Sequence, residues 1–64
     1  MKFTYDGQIL EIENYKKVIY LDREMIKTLG IIVEGNDLKI IKIDGYVLWI
    51  KGTIKKMEIG KYEN

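Results

Sequence analysis

The stretch from Ile31 to Ile59, IIVEGNDLKIIKIDGYVLWIKGTIKKMEI, decides the fold. Short apolar runs rich in Ile and Val are punctuated at Gly35-Asn36, Asp44-Gly45 and Lys51-Gly52, dipeptides that favour tight turns. The stretch predicts a four-stranded antiparallel meander. Its strands would run from Ile31 to Glu34, Asp37 to Ile43, Tyr46 to Ile50 and Thr53 to Ile59.

With two-residue turns the pairing follows, and opposite residues project from one face. Ile43 then stands opposite Tyr46, Ile41 opposite Leu48 and Ile40 opposite Trp49. Val33 meets Leu38, Ile31 meets Ile40, Trp49 meets Ile54 and Tyr46 meets Met57. One face would carry Ile31, Val33, Leu38, Ile40, Val47, Trp49 and Ile54. The other would carry Ile41, Ile43, Tyr46, Leu48, Ile50, Met57 and Ile59, with Lys39 and Lys55 among them. Each buried Leu, Ile or Val contributes about 1.5–3 kcal/mol, so two apolar faces both require cover. The rest of the chain is expected to cover one. The second, with Ile41, Ile43, Tyr46, Leu48, Ile50 and Met57, is the candidate interaction face, for another copy or another protein. The competing solution is strong coiling with a bulge at Ile40-Ile41, which lets a barrel-like sandwich share both faces internally.

Upstream, Phe3 to Tyr5, a turn at Asp6-Gly7 and Gln8 to Glu13 read as a first hairpin, with Leu10 and Ile12 facing opposite to Glu11 and Glu13. Val18 to Leu21 is a short strand after a polar turn at Asn14 to Lys17. Asp22 to Gly30 is open between strand and a short helix at 22–29. Asp22 is placed to cap such a helix, Leu21, Met25, Ile26 and Leu29 have helical spacing, and Gly30 is placed to close it. Against a helix stand β-branched residues and a length of under three turns. The polar tail from Gly60 to Asn64 is expected to fray.

Composition agrees. Twelve Ile, three Val and three Thr, with five Tyr, one Trp and one Phe among 64 residues, suit a pleated surface, and Ala is absent. The expectation is a single all-β domain over 1–64, a small antiparallel β-sandwich or barrel-like meander of about six to seven strands. So short a chain has a marginal core, and without Cys or His it has neither disulfides nor thiolate or imidazole metal ligands. Association is the reinforcement left. No apolar run reaches the roughly 18 residues of a membrane span, and Met1 to Asp6 does not read as a signal peptide. The expected location is the cytoplasm, with no direct membrane insertion.

Cys, His and Ser are all absent, which removes their catalysis and leaves Asp, Glu, Lys, Tyr and Thr. Glu11 and Glu13, two apart on one strand face, read as a solvated face rather than a carboxylate pair or hard-cation site. Asp37 and Asp44 sit where turns want Asp. No phosphate loop of either glycine-rich type occurs. No catalytic, metal or cofactor-binding residue is expected. Trp49 with Lys51, Lys55 and Lys56 forms the alternative face, for single-stranded nucleic acid: aromatics stack bases while lysines follow phosphate. The net charge of +1 and the interrupting Glu58 argue against it, and Trp49 in an alternating strand is usually core.

Three segments carry a resemblance. Ile12 to Tyr20 (IENYKKVIY), Ile31 to Ile40 (IIVEGNDLKI) and Ile50 to Glu58 (IKGTIKKME) resemble the sporulation proteins of the YabP/YqfC family, closest to the YqfC type. The likeness covers about residues 9 to 59, and its motifs, apolar strands ending at Gly35 and Gly52, are structural. The resemblance implies a β-sandwich-like domain acting in the mother cell of an endospore-forming bacterium, as a morphogenetic factor beside a membrane-protein partner. It also implies a strand rather than a helix over Glu24 to Thr28, with a turn at Leu29-Gly30. The match has no counterpart of the segment that commonly precedes the domain in YqfC-type proteins, and its connection at Asp44-Gly45 is shorter and less acidic than theirs. The expected function is therefore non-enzymatic assembly in endospore morphogenesis, through a homo-oligomer, a sporulation membrane protein, or both.

Overall fold

A computed structural model describes residues 2–60, and the expectation for the tail beyond Gly60 lies outside them. Six strands form: β1 (Lys2–Tyr5), β2 (Ile9–Glu13), β3 (Val18–Leu21), β4 (Met25–Thr28), β5 (Ile31–Ile43) and β6 (Val47–Ile59). They make one open antiparallel sheet in the order β1-β2-β6-β5-β4-β3, with no helix among the described residues. The all-β expectation holds, and the question at 22–29 resolves as a strand with a turn at Leu29-Gly30.

The four-stranded meander does not form. Gly35-Asn36 and Lys51-Gly52 lie inside two strands of 13 residues each, so Val33 and Leu38 share a strand instead of facing each other, as do Trp49 and Ile54. Ile31 pairs with Ile59 rather than Ile40, and Met57 with Val33 rather than Tyr46. The glycines allow close approach rather than reversal. A Cβ on Gly35 would lie 1.9 Å from the carbonyl oxygen of Thr53, and one on Gly52, whose φ is +144°, would lie 2.7 Å from that of Asp37. Only Gly admits these contacts and angles together.

Pairing between β5 and β6 slips three times. Lys55 is extra on β6, and β5 gains a residue at Asp37-Leu38 and another at Ile41. Each extra residue flips the alternation of side chains. Ile31, Val33, Leu38, Ile40 and Ile43 of β5 consequently share a face with Leu48, Ile50, Ile54, Met57 and Ile59 of β6. The two apolar faces expected from a straight sheet are thus one concave face. The opposite face carries mostly charged and polar groups, Glu34, Lys39, Lys42, Lys51, Lys56 and Glu58, with Ile32, Val47 and Trp49. The bulge at Ile41 is the coiling device anticipated as the competing solution.

The long hairpin serves two layers. β1 and β2 extend its one end beside Val47 to Lys51, while β3 and β4 extend the other beside Ile31 to Glu34. One core cluster joins Leu10, Ile12, Leu48 and Ile50 of the first layer to Ile26, Ile31 and Val33 of the second, with Leu38 at the bend. With no helix to cover either layer, each covers the other. The body measures 30 × 19 × 17 Å.

Three hairpins, β1–β2, β3–β4 and β5–β6, use the same kind of loop. Asp6, Asp22 and Asp44 each accept backbone N–H bonds from the second and third residues after them, at 2.8–3.0 Å. Each also donates its own N–H to the carbonyl of the third residue on. The loops therefore span four residues, flanked by Tyr5 and Leu10, Leu21 and Ile26, and Ile43 and Leu48. An Asp that opens its turn in this way replaces the two-residue Asp-Gly turn. Ile43 thereby meets Leu48 instead of Tyr46 and Lys42 meets Trp49, and the extra residue at Ile41 then sets Ile40 opposite Ile50.

Candidate interaction surfaces

The residues of the expected interaction face divide. Leu48 and Ile50, at 0% exposure, are core, and Met57 packs against the core. Ile41, Ile43 and Tyr46 are exposed, the last two at 56% and 72%, and cluster at the β5–β6 loop end. Tyr46 stands in that loop, where its backbone N–H is held by Asp44 and its carbonyl accepts from Asn14. Tyr15 reaches the same loop, donating its hydroxyl to the carbonyl of Asp44 at 2.9 Å. Ile43 lies at the rim of the concave face, and Ile41 is the bulged residue.

The residues of the alternative face divide too. Trp49 and Lys51 share the convex face of the first layer, whereas Lys55 and Lys56 lie beyond the bend at Gly52, in the second layer. Trp49 is half-buried and outside the core. Its neighbours in register are Glu11 on β2 and Lys42 on β5, and the Lys42 ammonium sits 4.7 Å from its ring centroid. This cation–π contact occupies a ring that would otherwise stack on a base. Glu11 and Glu13 line the same face, with Lys2 and Thr4 opposite them on β1.

Sequence reasoning missed a third surface, the edge strand β3. Ile19, Tyr20 and Leu21 are each about half exposed, and among the described residues no strand pairs with β3 beyond β4. The available signal was the uncharged tetrapeptide VIYL between Lys17 and Asp22. The Tyr20 hydroxyl donates to Asp22 Oδ2 at 2.7 Å, while Asp22 Oδ1 holds the loop that starts β4. The Tyr20 hydrogen bond and then the backbone N–H groups hold the Asp22 carboxyl below its usual range, and the same bond raises the phenol of Tyr20. Tyr20 also lies under Lys27, at 5.9 Å.

Beside this edge, Asp22, Arg23, Glu24, Asn36 and Asp37 form a shallow polar groove. Its single ion pair, Arg23 with Asp37 at 3.8 Å, is fully in water and contributes little. Among the described residues no group of His, Cys, Asp and Glu is placed to hold a metal ion. No helix there is long and apolar enough to cross a membrane. No family model, curated protein or solved structure matches the chain.

Proposed function

We propose that this chain is a non-enzymatic assembly protein of endospore formation, acting in the mother-cell cytoplasm through contacts with copies of itself or with a membrane-protein partner. The reading rests on the likeness of Ile12 to Tyr20, Ile31 to Ile40 and Ile50 to Glu58 to the YabP/YqfC sporulation proteins. The observation that supports contact with another protein chain is the open, uncharged edge at Val18–Leu21, with three large apolar side chains half in water. The groove formed by Asp22, Arg23, Glu24, Asn36 and Asp37 is shallow and largely charged rather than deep and apolar with converging polar groups, which suits contact better than turnover. Capture of the tagged protein from sporulating cells of the source organism is expected to recover a sporulation membrane protein. Constant expression in vegetative growth, or a source that makes no spores, would end the sporulation reading.

One observation favours a second reading, a small β module for single-stranded nucleic acid: Trp49 and Lys51 share the convex face of the first layer. That reading requires salt-sensitive binding that Trp49→Ala abolishes.

A further inference from the structure

We infer that β3 is a self-recognition edge: two copies of this chain pair their β3 strands antiparallel about a two-fold axis, with Val18 opposite the partner's Leu21. The inference rests on the assembly reading and specifies its surface and occupant.

The free edges of the sheet differ in one respect. β1 carries Lys2, the open flank of β6 carries Lys55, Lys56 and Glu58, and that of β5 carries Asp37, Lys39 and Lys42. Charges on an edge oppose pairing with another strand. β3 alone has none, and it places Ile19, Tyr20 and Leu21 half in water.

Backbone geometry selects the register. Asp22 donates its N–H to Met25 at 2.9 Å, and the Lys17 carbonyl accepts from Leu29 at 3.0 Å, so these two residues spend those groups on β4. In an antiparallel pair the next residues inward turn their N–H and C=O away from the neighbour. Those residues are Val18, opposite Thr28, and Leu21, opposite Ile26. Ordinary alternation would never turn residues three apart to the same side. The bulge between Val18 and Tyr20 does. Both residues also stay on the concave face, since Thr28 and Ile26 are core residues.

A second copy laid antiparallel with Val18 facing Leu21 lets each such pair exchange both N–H···O bonds. It sets apolar side chains together at the rim of both cores. The same register puts Lys17 opposite Asp22 of the other copy at both ends, so the edge is self-complementary in charge as a two-fold contact requires. Arg23 falls opposite Lys16 in this register, a like-charge pair of exposed side chains beyond the strand ends, where water and salt screen it.

The contact is short, so association is expected at about 10 μM to 1 mM, below the area of standard stable interfaces. Sedimentation velocity on the full chain over this range should show a monomer–dimer equilibrium. Leu21→Lys should weaken it at least about tenfold, whereas Tyr46→Lys, at the far loop, should leave it unchanged. A second measurement fixes the register and does not depend on the charged variant folding. The chain has no Cys. A mixture of Val18→Cys and Leu21→Cys proteins should form a disulfide-linked heterodimer on mild oxidation, and neither alone should cross-link to a comparable extent.

A strict monomer at 1 mM overturns the inference, as does a dimer indifferent to Leu21→Lys or a mixture that links no faster than each variant alone. If the monomer still captures a sporulation membrane protein, the pairing falls and the assembly reading stands. If the dimer forms as described in a protein expressed constantly in vegetative cells, the pairing stands and the sporulation reading falls.

Discussion

Gly35→Ala is the most direct test of the fold, because the new methyl has nowhere to go. Its carbon would stand 1.9 Å from the Thr53 carbonyl oxygen, 3.0 Å from the carbonyl carbon and 3.2 Å from Cα of Ile54, all backbone atoms of the paired strand. No rotamer change relieves such a contact. Even a separation of 3.0 Å requires β5 and β6 to part by about 1 Å, which stretches their ladder beyond hydrogen-bonding distance at the bend both layers share. Overpacking of a core costs about 1–3 kcal/mol when side chains can adjust, and here they cannot. A loss of about 3 kcal/mol or more is expected. A chain of 64 residues has a net stability of only about 3–10 kcal/mol. Gly45→Ala is the control: nothing lies within 4 Å of its Cβ and its φ is not positive, so the change is expected to be neutral or stabilising by about 0.4–1 kcal/mol. Urea and thermal unfolding followed by circular dichroism compare the two. At roughly 4–8 °C per kcal/mol, Gly35→Ala should lower Tm by about 12–24 °C or leave the chain unfolded. A Gly35→Ala protein within about 0.5 kcal/mol of the parent would refute the close crossing of the long strands.

Thr28 is buried, and its hydroxyl has no hydrogen-bond partner among the described residues, so Thr28→Val should raise stability by about 1 kcal/mol in urea titrations. Ile12→Ala should cost about 2–5 kcal/mol, and Ile43→Ala well under half as much, because the first is sealed in the core while the second sits at its wet rim. The Asp6 and Asp44 carboxyls are held below their usual range by the backbone N–H groups of their turns, and that of Asp22 by Tyr20 and then the backbone. Folded values below unfolded ones give stability that is complete above the unfolded value and is lost as pH falls through the folded ones. The urea midpoint should thus fall below about pH 4, and Asp44→Asn should reduce the slope there. At the alkaline end the Tyr20 value is raised above 10.0, so its contribution is present below that pH and lost as pH climbs through the raised value; Tyr20→Phe should remove that limb.

Fold class was legible because β-branched and aromatic composition leaves little else for the chain to do, the strand at Ile9–Glu13 followed from alternation, and that at Val18–Leu21 followed from a short apolar run after a polar turn. Gly35-Asn36 and Lys51-Gly52 misled because glycine serves two needs, reversal of the chain and close approach of two backbones, and local sequence does not distinguish them. The remaining error in register followed from Asp44. Opening a four-residue loop with its side chain, it moves every pairing in the long hairpin. Three bulges then converted an apparent two-sided hydrophobic sheet into a one-sided one, which is why Leu48 and Ile50 belong to the core and why no second subunit is required to cover them. Trp49, read as a core residue by habit of alternation, lies outside it because the Ile41 bulge puts it on the face opposite Ile40. The β3 edge was hidden by the uncertainty between helix and strand at Asp22 to Gly30, since an edge exists only once its neighbour is known to be a strand.

That β6 is shared by both layers has a consequence for biosynthesis. It leaves the ribosome after the other five described strands, yet it lies in the middle of the sheet, between β2 and β5. Until Ile59 has emerged, β1–β2 and β3–β5 are separate ribbons with no common interior, so this stretch of nascent polypeptide stays open to proteases and chaperones until β6 arrives and closes both layers in one step.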